Sequence, residues 1–536
     1  MIPCRVRIAA VLLVTLAHGA SLMAQERAVF VARVGADTVA VEVMTRTGRT
    51  ADATLQLRTP PGRVQQLVQL SGDQLVERIT TIVRQGAAGE TVAMRAELTF
   101  AGDSVRSHAE GAAGAASIPD RTMAIPAGAV PFLNLSGLSL ELVLRRARAM
   151  GGDTARVPLL ITGAPSPYVA TVTRLGADSV VVLVAGTTLR AATDSVGRLL
   201  GASVAAQRLR IDRLPGDSPL AAWTGTRAAA ASYAAPPGAP YTAENVVVAT
   251  PAGTLAGTLT LPRASSGRRV PAVVLLSGSG PQDRDGAAPT IDDWRPFREL
   301  ADTLSRRGIA VLRLDDRGIG SSSPAAAGGT MVDEAADVRT VVAWLRARPE
   351  IDPARIGLVG HSSGGAVAPM VAADDRDIRA LVMIAAPATV GRTISHYQIR
   401  SIFAQDTTLP AAKRDSLLGI ALRQADSALT AGPAWLRHFA SYDPLATARR
   451  VCTPTLLLHG ETDRQVPVAH ARTLSVAMRA AGNRRVTQRT FPRTNHLLVD
   501  DPSGNALEYG TLPSLRVVPA LRGALADWLA RALQAP

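Results

Sequence analysis

The stretch IDPARIGLVGHSSGGAVAPMVAA (351–373) decides how the second half of this chain is read. An apolar strand-like run, RIGLVG (355–360), ends in a crowd of small residues, and the small-residue helix pattern GGAVAPMVAA (364–373) follows at once. A serine hydroxyl is a poor nucleophile until a base takes its proton and its attack path is open. A sharp strand-to-helix turn provides that exposure, and it tolerates only small residues two positions either side of the serine. The flanking glycines, Gly360 and Gly364, select Ser362. Ser363 would need a glycine at position 361, where His361 stands. The turn therefore predicts Ser362 as nucleophile.

Such a turn predicts an acid and then a histidine further along the chain. The strand TLLLHG (455–460) runs into Glu461-Thr462-Asp463, a loop at a strand's carboxyl end. Asp463 is taken as the acid over Glu461, a choice on which the resemblance described below bears as much as the physics. VTQRTF (486–491) then leads to Pro492-Arg493-Thr494-Asn495-His496, a loop that leaves His496 free to stand between serine and acid. His361, His438, His459 and His470 are weaker choices for the base: inside the turn, in the insertion, at a strand end and in a helix. An oxyanion needs two N–H donors. Ser363 supplies one, and the loop after PAVVLL (271–276) supplies the other, with Ser279 the best donor.

Outward from these residues, continuous apolar strands alternate with amphipathic helices from about 236 to 536. The run begins with an opening hairpin, ENVVVATPAGTLAGTLTLP (244–262). That pattern implies a mostly parallel, doubly wound sheet covered on both faces, with active residues at the carboxyl ends of strands. Residues 392–450 interrupt it with helical segments and read as a cap.

The first half has another rhythm. Short alternating runs such as AVFVARV (28–34), TVAVEVM (38–44) and SVVVLV (179–184) predict half-buried antiparallel strands. RVGADTVAVEV (33–43) and RLGADSVVVLV (174–184) match, as recurrent hairpin turns rather than a duplication. LSGLSLELVLRRARAM (135–150) predicts a helix packed on that sheet. Residues 25–235 thus form a β-rich domain whose role no motif declares, closed by a Pro/Ala-rich linker.

Residues 1–24 carry Arg5 and Arg7, a short apolar run and small residues ending at Ala24, the layout of a cleavable signal peptide for secretion or the periplasm. Beyond them no long apolar segment predicts membrane insertion, and Cys452 is the one remaining cysteine, so no internal disulfide is expected. The formal charge of +14 is carried by scattered arginines, with Lys413 the only lysine. No basic run interleaved with aromatics points to nucleic acid. No His/Cys/Asp grouping has metal-ligand spacing and no dinucleotide fingerprint occurs, so no cofactor or metal is expected.

GSGPQDRDG (278–286), RLDDRGIGSS (313–322), IDPARIGLVGHSSGG (351–365), LLHGETDRQVP (457–467) and RTNH (493–496) together resemble the α/β-hydrolases. The similarity is greatest to bacterial carboxylesterases of serine aminopeptidase-like or dienelactone hydrolase-like type, over about residues 240–536. The resemblance implies a Ser362–Asp463–His496 triad, a helical cap and hydrolysis of short to medium acyl esters as small-molecule substrates. Esterases near this pattern often carry Glu after the nucleophile, where this chain has Ser363, which bears on substrate preference. Two alternatives stand beside this reading. One is a peptidase or amidase with the same triad, its substrate amine held by acids such as Asp406, Asp415 or Asp426. The other is an envelope- or polysaccharide-binding protein in which the hydrolase half is secondary. Asp315-Asp316-Arg317-Gly318 is read as a loop held by an Arg–carboxylate pair.

Overall fold

The computed structural model describes residues 25–534 apart from 59–61, 86–90, 112–117, 162–167, 185–186, 225–231, 264–267, 288–290, 292, 324–328 and 408. The expected signal peptide lies outside the described residues.

Strands in the first half run from β1 (Glu26–Val34) to β15 (Leu209–Pro215) and join into one fifteen-stranded sheet. β1 sits at its middle, pairing antiparallel with β2 (Asp37–Thr47) on one side and β15 on the other. From β1 the chain meanders outward through β8 (Ile118–Ala124), then starts again at β9 (Val130–Phe132) and returns strand by strand to β15. The matching RVGADT and RLGADS segments both prove to be hairpin turns, between β1 and β2 and between β11 (Tyr168–Arg174) and β12 (Ser179–Val184). Strands such as β6 (Thr91–Ala101) carry partly exposed residues along their whole length.

The helix expected at 135–150 is α1 (Gly137–Met150), and it packs against both wings of this sheet. It is capped by Ser136, whose Oγ accepts from the Ser139 N–H. Glu42 of β2 reaches the same end, accepting from Ser136 Oγ at 2.6 Å and from the Leu138 N–H at 2.8 Å. Burial pushes the Glu42 carboxyl up to about 7 against these hydrogen bonds. Glu141 is also buried, paired with Arg213 at 3.0 Å and Arg145 at 2.8 Å.

The second half holds an eight-stranded sheet in the order β16-β17-β19-β18-β20-β21-β22-β23. β16 (Tyr241–Thr250) and β17 (Gly253–Pro262) form the opening hairpin, and β17 is antiparallel to β19 (Ala310–Leu314). The rest is parallel: β18 (Val270–Leu276), β20 (Ile351–His361), β21 (Ile378–Ile384), β22 (Thr455–Gly460) and β23 (Val486–Phe491). Continuous apolar strands need cover on both faces, and both faces have it. On one lie α3 (Met331–Arg346), α4 (Gly364–Asp374) and α9 (Ala469–Ala480); on the other lie α2 (Pro296–Ser305) and α10 (Pro519–Ala532). α3 starts at a capping box, Thr330 with Asp333. No helix among the described residues is long and apolar enough to cross a membrane.

Four helices, α5 (Gly391–Gln405), α6 (Ala411–Ala431), α7 (Ala434–Ser441) and α8 (Pro444–Ala448), fill the interruption between β21 and β22. They leave from the carboxyl end of β21, beside the end of β20. The first-half sheet packs on them: Val181 and Leu183 of β12 are buried with Phe403, Leu409, Leu417 and Ala421. Arg190 pairs with Asp406 at 3.1 Å, and Gln424 Nε2 donates to the Val169 carbonyl at 3.1 Å.

The Asp315–Gly318 loop is held by Arg–carboxylate pairs, but not within itself. Arg317 reaches Asp337 of α3 at 2.6 Å, while Asp315 takes Arg284 from the GSGPQDRDG loop at 2.6 Å. A planar guanidinium is better met by a facing element than by a sequence neighbour pointing the same way.

Candidate active site

Ser362 sits between the end of β20 and the start of α4 with φ 55°, a left-handed conformation rare for residues other than glycine. Its N–H donates to the Ile384 carbonyl at 2.9 Å, which holds the turn against the neighbouring strand. The two flanking glycines answer to space. A Cβ on Gly360 would collide with the Gly364 carbonyl oxygen, and one on Gly364 with the carbonyl oxygens of Leu276 and Ser277. The turn is thus closed by backbone packed on backbone.

The structure brings all three predicted side chains together. His496 Nε2 lies 3.1 Å from Ser362 Oγ, and His496 Nδ1 lies 2.8 Å from Asp463 Oδ2. An ionised carboxylate only accepts, so Nδ1 carries the proton and Nε2 faces the serine hydroxyl as acceptor. Asp463 Oδ1 accepts from the N–H groups of Gln465 and Val466, each at 2.8 Å, which fixes the carboxylate in place. Burial raises the Asp463 carboxyl, but the charge of His496 and hydrogen bonds from His459 and His496 outweigh it and hold it well below the usual range. Glu461, the competing acid, instead accepts from Thr490 Oγ1 at 2.7 Å at the surface.

The histidine loop is tied from several sides. Asn495 Nδ2 donates to Asp501 at 3.0 Å, and its Oδ1 accepts from the Leu497 N–H at 2.9 Å. Trp294 Nε1 donates to the Leu497 carbonyl at 2.9 Å. His361 Nε2 lies 3.0 Å from the His496 carbonyl, an acceptor, so that nitrogen bears the proton. Burial, with the nearby His496, pushes His361 down to about 3, so it stays neutral. His361 therefore anchors the backbone of the histidine that meets Ser362. His459 Nε2 donates to the Val466 carbonyl at 2.8 Å and stands 3.4 Å from Asp463. His470 accepts from the Ala388 N–H at 2.9 Å, and His438 stacks on Tyr442. Sequence reasoning set these histidines aside as bases but missed the scaffold that His361, His459 and Trp294 build. Spacing carries no signal for His361 and Trp294, which reach their partners across the fold, whereas His459 meets Val466 and Asp463 in the loop that follows its own strand.

The two predicted oxyanion donors flank the serine. Ser363 opens α4, whose aligned N–H dipoles favour negative charge there. The loop after β18 approaches so closely that a Cβ on Gly278 would lie 3.2 Å from Ser362 Cβ, and Ser279 follows. Among the described residues neither the Ser363 nor the Ser279 amide N–H has a hydrogen-bond partner in the protein.

A model of the alpha/beta hydrolase family matches residues 273–506. Esterase EstD of Thermotoga maritima is 27% identical over 249 residues, covering 46% of this chain and 58% of EstD. The uncharacterized protein Rv2307c of Mycobacterium tuberculosis is 36% identical over 126 residues, covering 23% of this chain and 39% of that protein. The chain thus spans less than two thirds of the length of these curated relatives. Among solved structures, the esterase domain of a Rhodothermus marinus protein is 22% identical and covers 55% of this chain and 99% of that one, with a TM-score of 0.35. The strand order, the crossing helices and the family match agree: behind its β-rich first domain, this chain carries a domain of the alpha/beta hydrolase family.

Proposed function

We propose that the chain hydrolyses carboxylic esters of short to medium acyl chains through an acyl-enzyme on Ser362. The observation that carries this reading is the continuous hydrogen-bonded line Ser362–His496–Asp463, ending at unengaged amides beside the serine. His496 Nε2 takes the Ser362 proton as Oγ attacks the acyl carbon. The Ser363 and Ser279 amides receive the oxyanion, and Asp463 stabilises the imidazolium. His496 then gives that proton to the leaving alcohol. Water, deprotonated by His496, attacks the acyl-enzyme, and collapse returns the proton to Ser362 and frees the acid. The name of the Thermotoga relative, an esterase, supports the same chemistry.

An amidase would use the same line of residues. Two of the three cap acids that could have held a substrate amine are engaged elsewhere. Asp406 pairs with Arg190, and Asp426 with Arg392 and His396. The ester reading is therefore preferred. Incubation with a fluorophosphonate should label Ser362, and p-nitrophenyl esters of graded chain length should turn over much faster than aminoacyl amides. Full esterase activity in Ser362→Ala, or amides hydrolysed faster than esters, would overturn it.

A further inference from the structure

The loop after β18 brings the Ser279 amide to the active site, yet the arc has little of its own to hold it. Among the described residues none of Gly278, Ser279, Gly280 and Pro281 makes a backbone-to-backbone hydrogen bond. Both ends of the arc meet one residue instead, Asp316 of the loop after β19. Its Oδ1 accepts from Ser277 Oγ at 2.5 Å, and its Oδ2 accepts from the Gln282 N–H at 2.9 Å. Its own N–H donates to the Gln282 carbonyl at 3.1 Å. Ser277 opens the arc and Gln282 closes it, so Asp316 clamps it across its mouth. Between the two, Gly278 comes so near the nucleophile that a Cβ there would lie 3.2 Å from Ser362 Cβ and 3.3 Å from Gln282 Nε2. Ser279, the next residue, is exposed.

The acids nearby show how unusual this arrangement is. Asp315, Asp285 and Asp337 are each paired with an arginine: Arg284, Arg313 and Arg317. Among the described residues Asp316 has no ion pair, and its oxygens meet only Ser277 and Gln282. The charged groups acting on it are acids, Asp315 beside it, Asp283 just past the arc and Glu334 from α3. Burial, with Asp315 and Asp283 adding to it, pushes the Asp316 carboxyl up to about 7 against those two hydrogen bonds. A carboxyl kept out of water without a counter-ion is costly. What stands against that cost here is the placement of one loop.

We infer that Asp316 is a positioning residue for ester hydrolysis: it clamps the arc 277–282 so that the Ser279 N–H stays aimed at the oxyanion. The inference rests on the ester reading above. Preorganised donors stabilise an oxyanion because they need no rearrangement as its charge develops. A loosened arc would therefore slow the chemical step and leave substrate binding nearly intact. The clamp needs hydrogen bonds rather than charge. Asparagine at this position keeps both, since its Oδ1 can accept from the Gln282 N–H while its Nδ2 donates to Ser277 Oγ.

Steady-state ester kinetics on the full chain test this with Asp316→Ala, Asp316→Asn and Ser277→Ala. Asp316→Ala should lose about 10- to 100-fold in kcat with KM within about twofold, somewhat less than outright loss of a donor. Asp316→Asn should restore kcat to within about fivefold of native. Ser277→Ala releases one arm and should lose about three- to tenfold, and combining it with Asp316→Ala should add nothing. Affinity for a boronic acid, whose adduct on Ser362 places an oxygen at the two amides, should fall in step with kcat. Native kcat in Asp316→Ala, a loss confined to KM, unchanged boronate affinity, or Asp316→Asn as slow as Asp316→Ala overturns the inference. If circular dichroism shows Asp316→Ala unfolded, Ser277→Ala decides, and native kcat in it overturns the inference. Turnover that survives Ser362→Ala would instead overturn the ester reading beneath it.

Discussion

The two sheets handle loops in opposite ways, and that difference decides where chemistry can be built. In the eight-stranded sheet the parallel strands β18, β20, β21, β22 and β23 all end at one edge, so the loops that follow them meet. Ser279, Ser362, Asp463 and His496 come from four of those loops. In the fifteen-stranded sheet successive antiparallel strands turn at alternate edges. Neighbouring hairpins therefore face away from one another, and reactive side chains do not converge. The buried carboxyl groups of the first domain do structural work instead: Glu42 is bound to the start of α1, and Glu141 of α1 to arginines.

The sharpest test of that contrast is Asp463→Asn. Its amide cannot simply replace a carboxylate facing His496 Nδ1–H, so the imidazole is driven to the tautomer that cannot accept from Ser362. Ester turnover should fall by about 10^3 to 10^4 in kcat with the chain still folded, read by steady-state kinetics beside circular dichroism. Loss below tenfold would mean Asp463 is only a loop anchor.

In the first sheet the matching change is Glu42→Gln, with a stability readout. The native carboxyl, raised to about 7 from 4.5, keeps a proton that the unfolded chain releases. Stability of this domain should therefore fall as pH rises from near 4.5 to about 7, by up to about 3 kcal/mol. The glutamine variant should flatten that slope in urea melts at graded pH while leaving ester turnover untouched. A slope unchanged in the variant would assign it to another group.

The smallest effect belongs to the contact between the two regions. Asp406→Asn removes one ion pair, with Arg190, from an interface that also holds apolar side chains. A loss of about 1 kcal/mol or less is expected in denaturant unfolding. A change in KM in this variant would show that the first domain helps to set the cap.

Legibility in the sequence follows the same division. The central strands β18, β19, β21 and β22 are largely buried, so each reads as a mostly apolar run, whereas the edge strand β23 is buried only at Val486 and Phe491. VTQRTF (486–491) and TLLLHG (455–460) coincide with β23 and β22. Ser362 was legible because its turn needs Gly360 and Gly364, and His496 because it follows a strand in the right order. The sequence separates Asp463 from Glu461 only with the help of the resemblance; in the structure the backbone N–H groups of Gln465 and Val466 hold the Asp463 carboxylate toward His496. Much of the first sheet stayed hidden. β4 (Gly62–Leu70), GRVQQLVQL, and β13 (Thr187–Thr193), TTLRAAT, carry polar residues on their outer faces and show little apolar signal. That fifteen strands join into one sheet depends on β1 meeting β15, about 180 residues apart, which no local pattern states.

The packing of α6 against β12 has a practical meaning for anyone dissecting this chain. Cutting at the linker looks harmless, since the linker separates two sheets with their own cores. The cut would nevertheless strip Val181 and Leu183 from Phe403, Leu417 and Ala421, leaving an apolar scar on each fragment. Such fragments would tend to stick to themselves or to each other. Mixing the two halves and watching for reassembly would therefore be more informative than assaying either alone.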